Sequence, residues 1–262
     1  MKNNYSKYLK LFLENNKKFY RNEQRKNRTL VFSVTNDLIF NTILLKFGKV
    51  ISDVENSNII FFPFLKYSKE IKKLAKSFKV LFIVNVFLSF AWIFLKYFIA
   101  ISKYLIKIND GKALESFQID NIPIGKHIYD FILRKYRIPT LIKFKLIHRV
   151  HILICIIYYF LTRDLIKKYD IKTIVSLDNV YIEGVVFELS RSLNLKMYTG
   201  FDINLLTLHI FENKFDYSKH CRTPDKDYLD KKFENPIFLA EAKKFLDVRF
   251  SGKQNQHDAK RA

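Results

Sequence analysis

Two strand–helix–strand patterns constrain the fold of this 262-residue chain more than any other feature. The clearer one runs from an apolar strand at residues 172–177, through a helix with apolar residues at every fourth position, to a strand at residues 196–199. The other pattern joins strands at residues 29–34 and 58–64 through a helix. Such crossovers are normally right-handed and parallel. We therefore predict an α/β fold with a Rossmann-like parallel sheet flanked by helices.

Two long apolar segments lie between these patterns. Residues 80–95 carry no charge, and residues 97–101 extend the segment beyond Lys96. This stretch is borderline for a spanning helix, which needs roughly twenty apolar residues. We predict a long apolar helical insertion that is either buried or lies in a membrane interface, with a membrane span as the alternative. A second long helix is predicted over residues 140–169, and its middle, residues 152–161, is apolar on all sides.

The formal net charge of +21 predicts an acidic partner, although an AT-rich coding bias towards lysine explains part of the excess. The basic residues are scattered along the chain and no nucleic-acid-binding motif is present, so we expect an anionic membrane surface or anionic substrate rather than nucleic acid. Neither Cys155 nor Cys221 has a CxxC partner, and residues 1–27 lack an apolar signal core. These features predict a cytoplasmic location.

The composition suggests three regions. Residues 1–28 form a polar, basic N-terminal segment, residues 29–250 contain the Rossmann-like domain, and residues 251–262 form a polar tail without apolar periodicity. In the first region of the domain, Gly48 stands where a glycine is expected just after the C-terminus of a helix.

Polar residues follow several of the predicted strands. Asp178 and Asp202 each follow a strand, and ligands of open parallel sheets bind beyond the carboxyl ends of the strands. The pair is therefore our candidate for general acid and base chemistry. Asn36 occupies the equivalent place after the first strand and is a candidate substrate ligand. The simpler interpretation is that Asp178 and Asn36 cap the helices that follow them.

Several cofactor signatures are missing from the sequence. There is no GxGxxG motif, no GxxxxGK[ST] motif and no HExxH motif. His148 and His151 could share a helix face, but two histidines rarely form a metal site. We predict neither a metal ion nor a bound cofactor.

A short motif lies between the two crossovers. Pro123 and Gly125 indicate a turn, after which Tyr129, Asp130 and Arg134 enter a helix. These three polar side chains are candidate substrate ligands. Because Asp130 and Arg134 are four residues apart, a simple ion pair on the helix surface is an equally good interpretation.

The strings IPIGKHIYDFILR and IVSLDNVYIEGVVFELSR resemble a group of surface- and capsular-polysaccharide biosynthesis proteins. Those proteins look like glycosyltransferases of the GT-B type, which have two Rossmann domains, and the final residues RFSGKQNQHDAKRA resemble the stretch before their second domain. The positions that match the group's motif are Gly125, Ile128, Tyr129, Asp130, Arg134, Tyr181 and Gly184. The resemblance implies substrate-binding roles for these positions other than Ile128.

The resemblance implies the acceptor-binding, N-terminal half of a membrane-associated glycosyltransferase. A nucleotide-sugar donor would bind through a second domain that this chain does not contain. The acceptor would be a glycan or a lipid-linked glycan at the inner face of the plasma membrane. Two alternatives are a non-catalytic peripheral or integral component of envelope glycan assembly and a small enzyme of unknown chemistry.

Overall fold

A six-stranded sheet organises the part of the chain that the computed structural model describes, which comprises residues 2–20, 25–63, 67–178, 180–199 and 209–211 and the single positions 236 and 240. The chain divides into two units, Met1–Lys214 and Phe215–Ala262, and all elements named below belong to the first. The strands are β1 (Asn27–Phe32), β2 (Ser57–Phe62), β3 (Phe82–Ile83), β6 (Ile171–Val175), β7 (Lys196–Thr199) and β8 (His209–Phe211), and the hairpin strands are β4 (Gln118–Ile119) and β5 (Ile122–Pro123).

Helices cover both faces of this sheet, either directly or as a second layer that packs on α8 (Leu146–Tyr169). They are α1 (Lys2–Phe19), α2 (Leu38–Val54), α3 (Lys69–Ser77), α4 (Val86–Lys96), α5 (Phe98–Lys107), α6 (Gly111–Glu115), α7 (Gly125–Tyr136), α8 (Leu146–Tyr169) and α9 (Tyr181–Ser192).

The order of strands confirms the predicted fold class. Across the sheet the order is β3-β2-β1-β6-β7-β8, and all neighbours are parallel except β8, which is antiparallel to β7. This is the order of a Rossmann-like, doubly wound sheet. Successive strands are added on one side of β1 as far as β3 and on its other side from β6 onwards. The four strands predicted from the sequence all lie in this sheet, with ends that differ by at most two residues. The switch point lies between β1 and β6.

The core consists of two layers, one on each face of the sheet. Because side chains alternate along a strand, Val31 and Phe61 face a layer built from α1, α2 and α3, while Phe32 and Phe62 face α8. On the α8 side, the Tyr158 ring lies 5.9 Å from the Phe32 ring and 5.5 Å from the Phe62 ring. The central strands are buried on both faces, as expected of parallel strands.

The basic N-terminal segment is part of this folded unit. Helix α1 packs on α3, where Asn16 is buried and its Nδ2 donates to Ser77 Oγ at 3.3 Å. The ring centroids of Phe12 and Phe78 lie 6.4 Å apart. The residues between α1 and β1 include Arg25, whose guanidinium donates to the Ser52 carbonyl at 2.9 Å.

The predicted apolar insertion is not one long helix. The segment begins with the short strand β3, continues as α4 and breaks at Tyr97, after which α5 leaves at a bend of 80°. In the described part of the chain, no single helix is long and apolar enough to cross a membrane, and only α4 and α5 taken together meet that criterion. The middle of α8 is buried against the sheet, in agreement with the prediction for residues 152–161.

The prediction for Gly48 is wrong, because this glycine lies inside α2 rather than after its end. It sits over Val31 of β1, and a Cβ atom added to Gly48 would lie 2.5 Å from Val31 Cγ2. Glycine is therefore required here so that α2 can approach the sheet closely.

We expect the substitution Gly48→Ala to lower the free energy of unfolding by about 1–3 kcal/mol, as overpacking of a well-packed core does. The stiff, β-branched Val31 side chain cannot rotate away from the new methyl group. Urea unfolding followed by circular dichroism measures the change. The double variant Gly48→Ala/Val31→Ala should be more stable than the sum of the single changes allows, since it removes the clash. Strict additivity would show that the close approach is not the cause.

Candidate functional site

The carboxyl ends of β1 and β6 meet at the switch point, where doubly wound sheets bind their ligands. Chain segments leave both strands here, one towards α2 and the other towards α9. Asn36 follows β1 and Asp178 follows β6, so two of the predicted site residues lie at this edge of the sheet.

Asn36 has a structural partner at this edge. Its Oδ1 accepts a hydrogen bond from the backbone N–H of Ser68, 3.0 Å away, and Ser68 caps α3. The helix cap of α2 is the next residue, Asp37, whose Oδ1 accepts from the N–H of Phe40 at 3.0 Å. The interpretation of Asn36 as a helix cap is therefore wrong, and this side chain joins the loop after β1 to the start of α3.

Asp178 does not occupy the cap position of α9, because the N-cap residue of that helix is Val180. The Asp178 side chain is half-buried and lies near Glu183, which is in the first turn of α9. We define the β6–α9 site as Ser176, Asp178, Tyr181, Glu183 and Arg134.

Glu183 is the most unusual residue of the site. Its side chain is buried, with only 5 % of the residue exposed to solvent. Burial raises the pKa of the Glu183 carboxyl well above the ordinary value of 4.5, and repulsion by Asp178 raises it further. Arg134 and the nearby Ser176 hydroxyl oppose this rise. Ser176 Oγ is itself buried and has no hydrogen-bond partner of good geometry among the described residues.

Arg134 reaches the site from α7. Its guanidinium carbon lies 4.8 Å from the centre of the Tyr181 ring, which is within the range of a cation–π interaction. Tyr181 has a φ of 57°, in the left-handed region that non-glycine residues rarely adopt. Backbone strain of this kind costs about 1–3 kcal/mol and is concentrated at functional sites. Tyr181, the first residue of α9, thus combines a strained backbone conformation with a side-chain contact to Arg134.

Close packing of α7 and α9 positions Arg134. A Cβ atom added to Gly184 would overlap the His127 ring, so the absence of a side chain lets the two helices approach. His127 Nε2 lies 3.6 Å from Glu188 Oε1, and Glu188 Oε2 also pairs with Arg191 at 2.6 Å. A Cβ atom on Gly125 would overlap the Leu114 backbone. Both glycines therefore have a packing function that explains why they are glycines.

Tyr129 and Asp130 lie on α7, and their described interactions are with residues outside the β6–α9 site. The Tyr129 hydroxyl lies 3.2 Å from Thr140 Oγ1 and accepts from the N–H of Leu141 at 3.3 Å, so it holds the segment that follows α7. Burial raises the pKa of the Asp130 carboxyl, while Lys126 and the neighbouring histidine of α7 lower it. These contacts do not include the β6–α9 site.

Asp202 lies outside the described residues, so its pairing with Asp178 stays a prediction. The described carboxyl partner of Asp178 is Glu183, which sequence reasoning missed because it is surrounded by Ile182, Gly184 and other apolar residues of α9. The available signal was the position of Glu183 three and four residues before the apolar Val186 and Phe187, which places its side chain on the same side of α9 as theirs.

Metal binding has no support from the described residues. They contain no group of three or more His, Cys, Asp or Glu side chains that could hold a metal ion. His148 and His151 are largely buried, and the Tyr136 hydroxyl lies 3.1 Å from His151 Nδ1. The two histidines thus belong to an aromatic cluster between α7 and α8.

No protein-family description, curated protein or solved structure matches this chain. Two neighbouring carboxyl groups with unlike surroundings can hold one proton between them, so that one acts as an acid and the other as a base. The Tyr181 ring offers an apolar face, and Arg134 offers a fork of donors.

We expect the free energy of unfolding to depend on pH through Glu183. Because its pKa is higher in the folded than in the unfolded state, the native protein binds the proton more tightly. The stabilisation is complete below pH 4.5, the ordinary pKa, and is lost as the pH rises through the raised pKa. Urea titrations between about pH 5 and pH 9 should show that Glu183→Gln weakens this loss and makes the protein relatively more stable at alkaline pH.

The matched control is Glu14→Gln, since Glu14 lies exposed on α1. It should leave the pH dependence of the wild-type protein unchanged. Equal slopes for wild type and Glu183→Gln would mean that Glu183 is not buried in its protonated form.

Proposed function

We propose that this chain is the acceptor-binding half of a membrane-associated glycosyltransferase of surface polysaccharide biosynthesis. The observation that carries the proposal is the β6–α9 site, where the buried Glu183 and the half-buried Asp178 lie together at the switch point of a doubly wound sheet. This part of the sheet is where such folds bind ligands, and a pair of unlike carboxyl groups suits proton transfer from a hydroxyl.

In the proposed reaction, a carboxylate of the site takes the proton of an acceptor hydroxyl as its oxygen attacks the anomeric carbon of a nucleotide-sugar. The bond between that carbon and the diphosphate breaks, and the nucleotide diphosphate leaves. Asp178 is the proposed base, because the raised pKa of Glu183 keeps that neighbouring carboxyl protonated and able to donate a hydrogen bond. Asp202 remains a proposed second acid or base.

The substrate-binding roles are divided in this proposal. Arg134 and Tyr181 contact the acceptor, because a sugar ring packs on an aromatic face and its hydroxyls accept from a guanidinium. Indirect roles fall to residues that shape the surrounding elements, namely Asn36, Gly125, Tyr129, Asp130 and Gly184.

The proposed partners follow from the same scheme. The nucleotide-sugar donor would bind through a second domain, and the acceptor would be a glycan or a lipid-linked glycan. The net charge of +21 supports attraction to anionic lipid at the cytoplasmic face of the plasma membrane, where the protein would be peripheral. In this proposal the apolar segment of α4 and α5 is an insertion between the strands β3 and β6 that serves membrane association.

A second candidate is a non-catalytic component of envelope glycan assembly. It is favoured by the large apolar side chains that α4 and α5 expose to solvent, among them Phe87 and Trp92. Such a component would need the membrane contact but not the carboxyl groups of the β6–α9 site, and this difference separates the two candidates.

Asp178→Asn should abolish polysaccharide synthesis when the protein is expressed, together with its donor domain, in cells lacking the wild-type gene. We expect a rate reduction of about 10²–10⁴, the usual contribution of a general base. The free energy of unfolding should change little, because the substituted side chain is only half-buried and is not the helix cap of α9. Labelled sugar incorporation into polymer measures the rate.

The control is Asp110→Asn, because Asp110 caps α6 and asparagine caps a helix about as well as aspartate. This variant should synthesise polysaccharide at the wild-type rate. Normal synthesis by Asp178→Asn would remove Asp178 from the proposed mechanism. Normal synthesis by both Asp178→Asn and Glu183→Gln would favour the non-catalytic candidate.

A further inference from the structure

Helices α4 and α5 expose an unusual number of large apolar side chains. Val86, Ile93 and Ile101 are the residues of the two helices that the core buries. The exposed ones face solvent across more than half of their surface, and they are Phe87, Leu88, Trp92, Leu95, Phe98, Ile99 and Ile106. Contiguous exposed apolar patches on this scale mark interaction surfaces.

Two adjacent grooves at the bend connect five of the seven exposed residues. A groove of about 740 Å³ between α4 and α8 is lined by Leu88 and Trp92, among others. A second groove of about 500 Å³ between α4 and α5 is lined by Leu95 and Ile99. Lys96 and Tyr97 line both grooves, so the two are adjacent. We call the seven exposed apolar residues and the lysines of these grooves the elbow surface.

The elbow surface is strongly basic. The lysines that line the two grooves are Lys96, Lys103, Lys107, Lys167 and Lys168. Among the described residues, Asp164 is the one acidic residue that lines them, and it is paired with Lys96 Nζ at 2.6 Å. The apolar side chains are thus bordered by positive charge, which is the pattern of a helix that binds an anionic lipid surface.

The bend itself is held firmly by α8. The Tyr97 ring stacks on the Phe160 ring with centroids 4.3 Å apart, and its hydroxyl donates to Asp164 Oδ1 at 2.7 Å. The guanidinium of Arg163 lies 5.3 Å from the Tyr97 ring centre. The apolar side chains of the elbow surface are therefore presented on a braced scaffold.

We propose that the elbow surface docks the protein onto an anionic lipid bilayer, with α4 and α5 lying in the plane of the interface. The proposal rests on the membrane association in the proposed function, but it does not require glycosyl transfer. Trp92 suits this position, because tryptophan is enriched at the boundary between lipid headgroups and chains.

The dimensions of the helices favour the in-plane arrangement over a span. With 11 and 10 residues, α4 and α5 are each about 15 Å long at a rise of 1.5 Å per residue. The hydrocarbon core of a bilayer is about 30 Å thick. The 80° bend prevents the two helices from adding their lengths along one axis.

Charge favours lipid over a second copy of the chain. In a symmetric dimer the same patch meets itself, so the lysines of one copy would face those of the other. The net charge of +21 per chain adds to the repulsion. Each lysine instead strengthens binding to an anionic bilayer, because every basic residue near the surface raises the affinity about five-fold.

The test is flotation of the purified chain with vesicles of phosphatidylcholine, either alone or mixed with phosphatidylglycerol. We expect binding to the mixed vesicles that weakens with added salt. The double variant Trp92→Ser/Leu95→Ser should reduce the bound fraction at least ten-fold. The double variant Lys103→Gln/Lys107→Gln should reduce binding to the mixed vesicles only and leave binding to pure phosphatidylcholine unchanged. Both pairs are exposed, so circular dichroism should show the wild-type fold.

Matched controls separate the elbow from general hydrophobicity and charge. Ile39→Ser changes an equally exposed apolar residue of α2, and Lys69→Gln/Lys73→Gln removes two exposed charges from α3. Both controls should bind vesicles like wild type. Reduced binding by the controls as large as that of the elbow variants would overturn the proposal, as would unchanged binding by the elbow variants.

Two further outcomes distinguish this proposal from its alternatives. Concentration-dependent dimerisation in analytical ultracentrifugation that Trp92→Ser/Leu95→Ser abolishes would assign the surface to a second copy and overturn lipid docking. Elbow variants that lose vesicle binding but transfer sugar to a soluble acceptor would support both proposals. A wild-type enzyme that binds vesicles but transfers no sugar would overturn the proposed glycosyl transfer and leave the lipid docking standing.

Discussion

The burial of the middle of α8 is the constraint on which the rest of the structure depends. One side of this helix covers the sheet through Tyr158, which contacts Phe32 and Phe62. The Phe90 ring of α4 lies 4.9 Å from the same tyrosine ring, and Phe160 stacks under the bend between α4 and α5. A helix that is apolar on all sides has no face to offer to water. It therefore needs both a sheet and a second layer of helices, and α4, α5 and α7 supply that layer.

The same arrangement explains how a buried carboxyl is tolerated near the switch point. Glu183 is placed in the first turn of α9 by a crossover whose apolar residues, such as Val185 and Leu189, pack inside. Burying an ionised carboxylate is costly, and this cost raises the pKa of the Glu183 carboxyl even though Arg134 lies nearby. The Ser176 hydroxyl, which has no hydrogen-bond partner of good geometry among the described residues, and the strained φ of Tyr181 lie within seven residues of Glu183 in the sequence. Unfavourable features collected at one edge of an otherwise well-packed sheet are typical of sites kept for function.

The sequence predicted the sheet well because its signals are local. Four apolar strands and two crossovers are readable from periodicity alone, and parallel pairing follows from the length of the connections. The features that the sequence did not predict depend on contacts between residues that are far apart along the chain. In the sequence, Gly48 looks like the residue that ends a helix, but a glycine is required there because α2 packs against Val31 on a strand. Glu183 is surrounded by apolar neighbours in α9, and its partners Asp178 and Arg134 come from other elements. No periodicity can reveal such a meeting of separate segments.

The two proposals also constrain each other through α8. The elbow surface packs near Phe160 and Asp164, whereas α7, which carries Arg134, packs on His148 and His151 near the start of the same helix. About twelve residues separate the two places, or roughly 15–20 Å along the helix axis. A bilayer bound at the elbow surface, as proposed, would therefore lie against a different part of α8 from the one that contacts α7. An acceptor sugar attached directly to a lipid phosphate would stay near the headgroups, but a lipid-linked glycan of several sugars could reach the β6–α9 site. Under the two proposals together, an acceptor that has already been extended would suit this separation along α8.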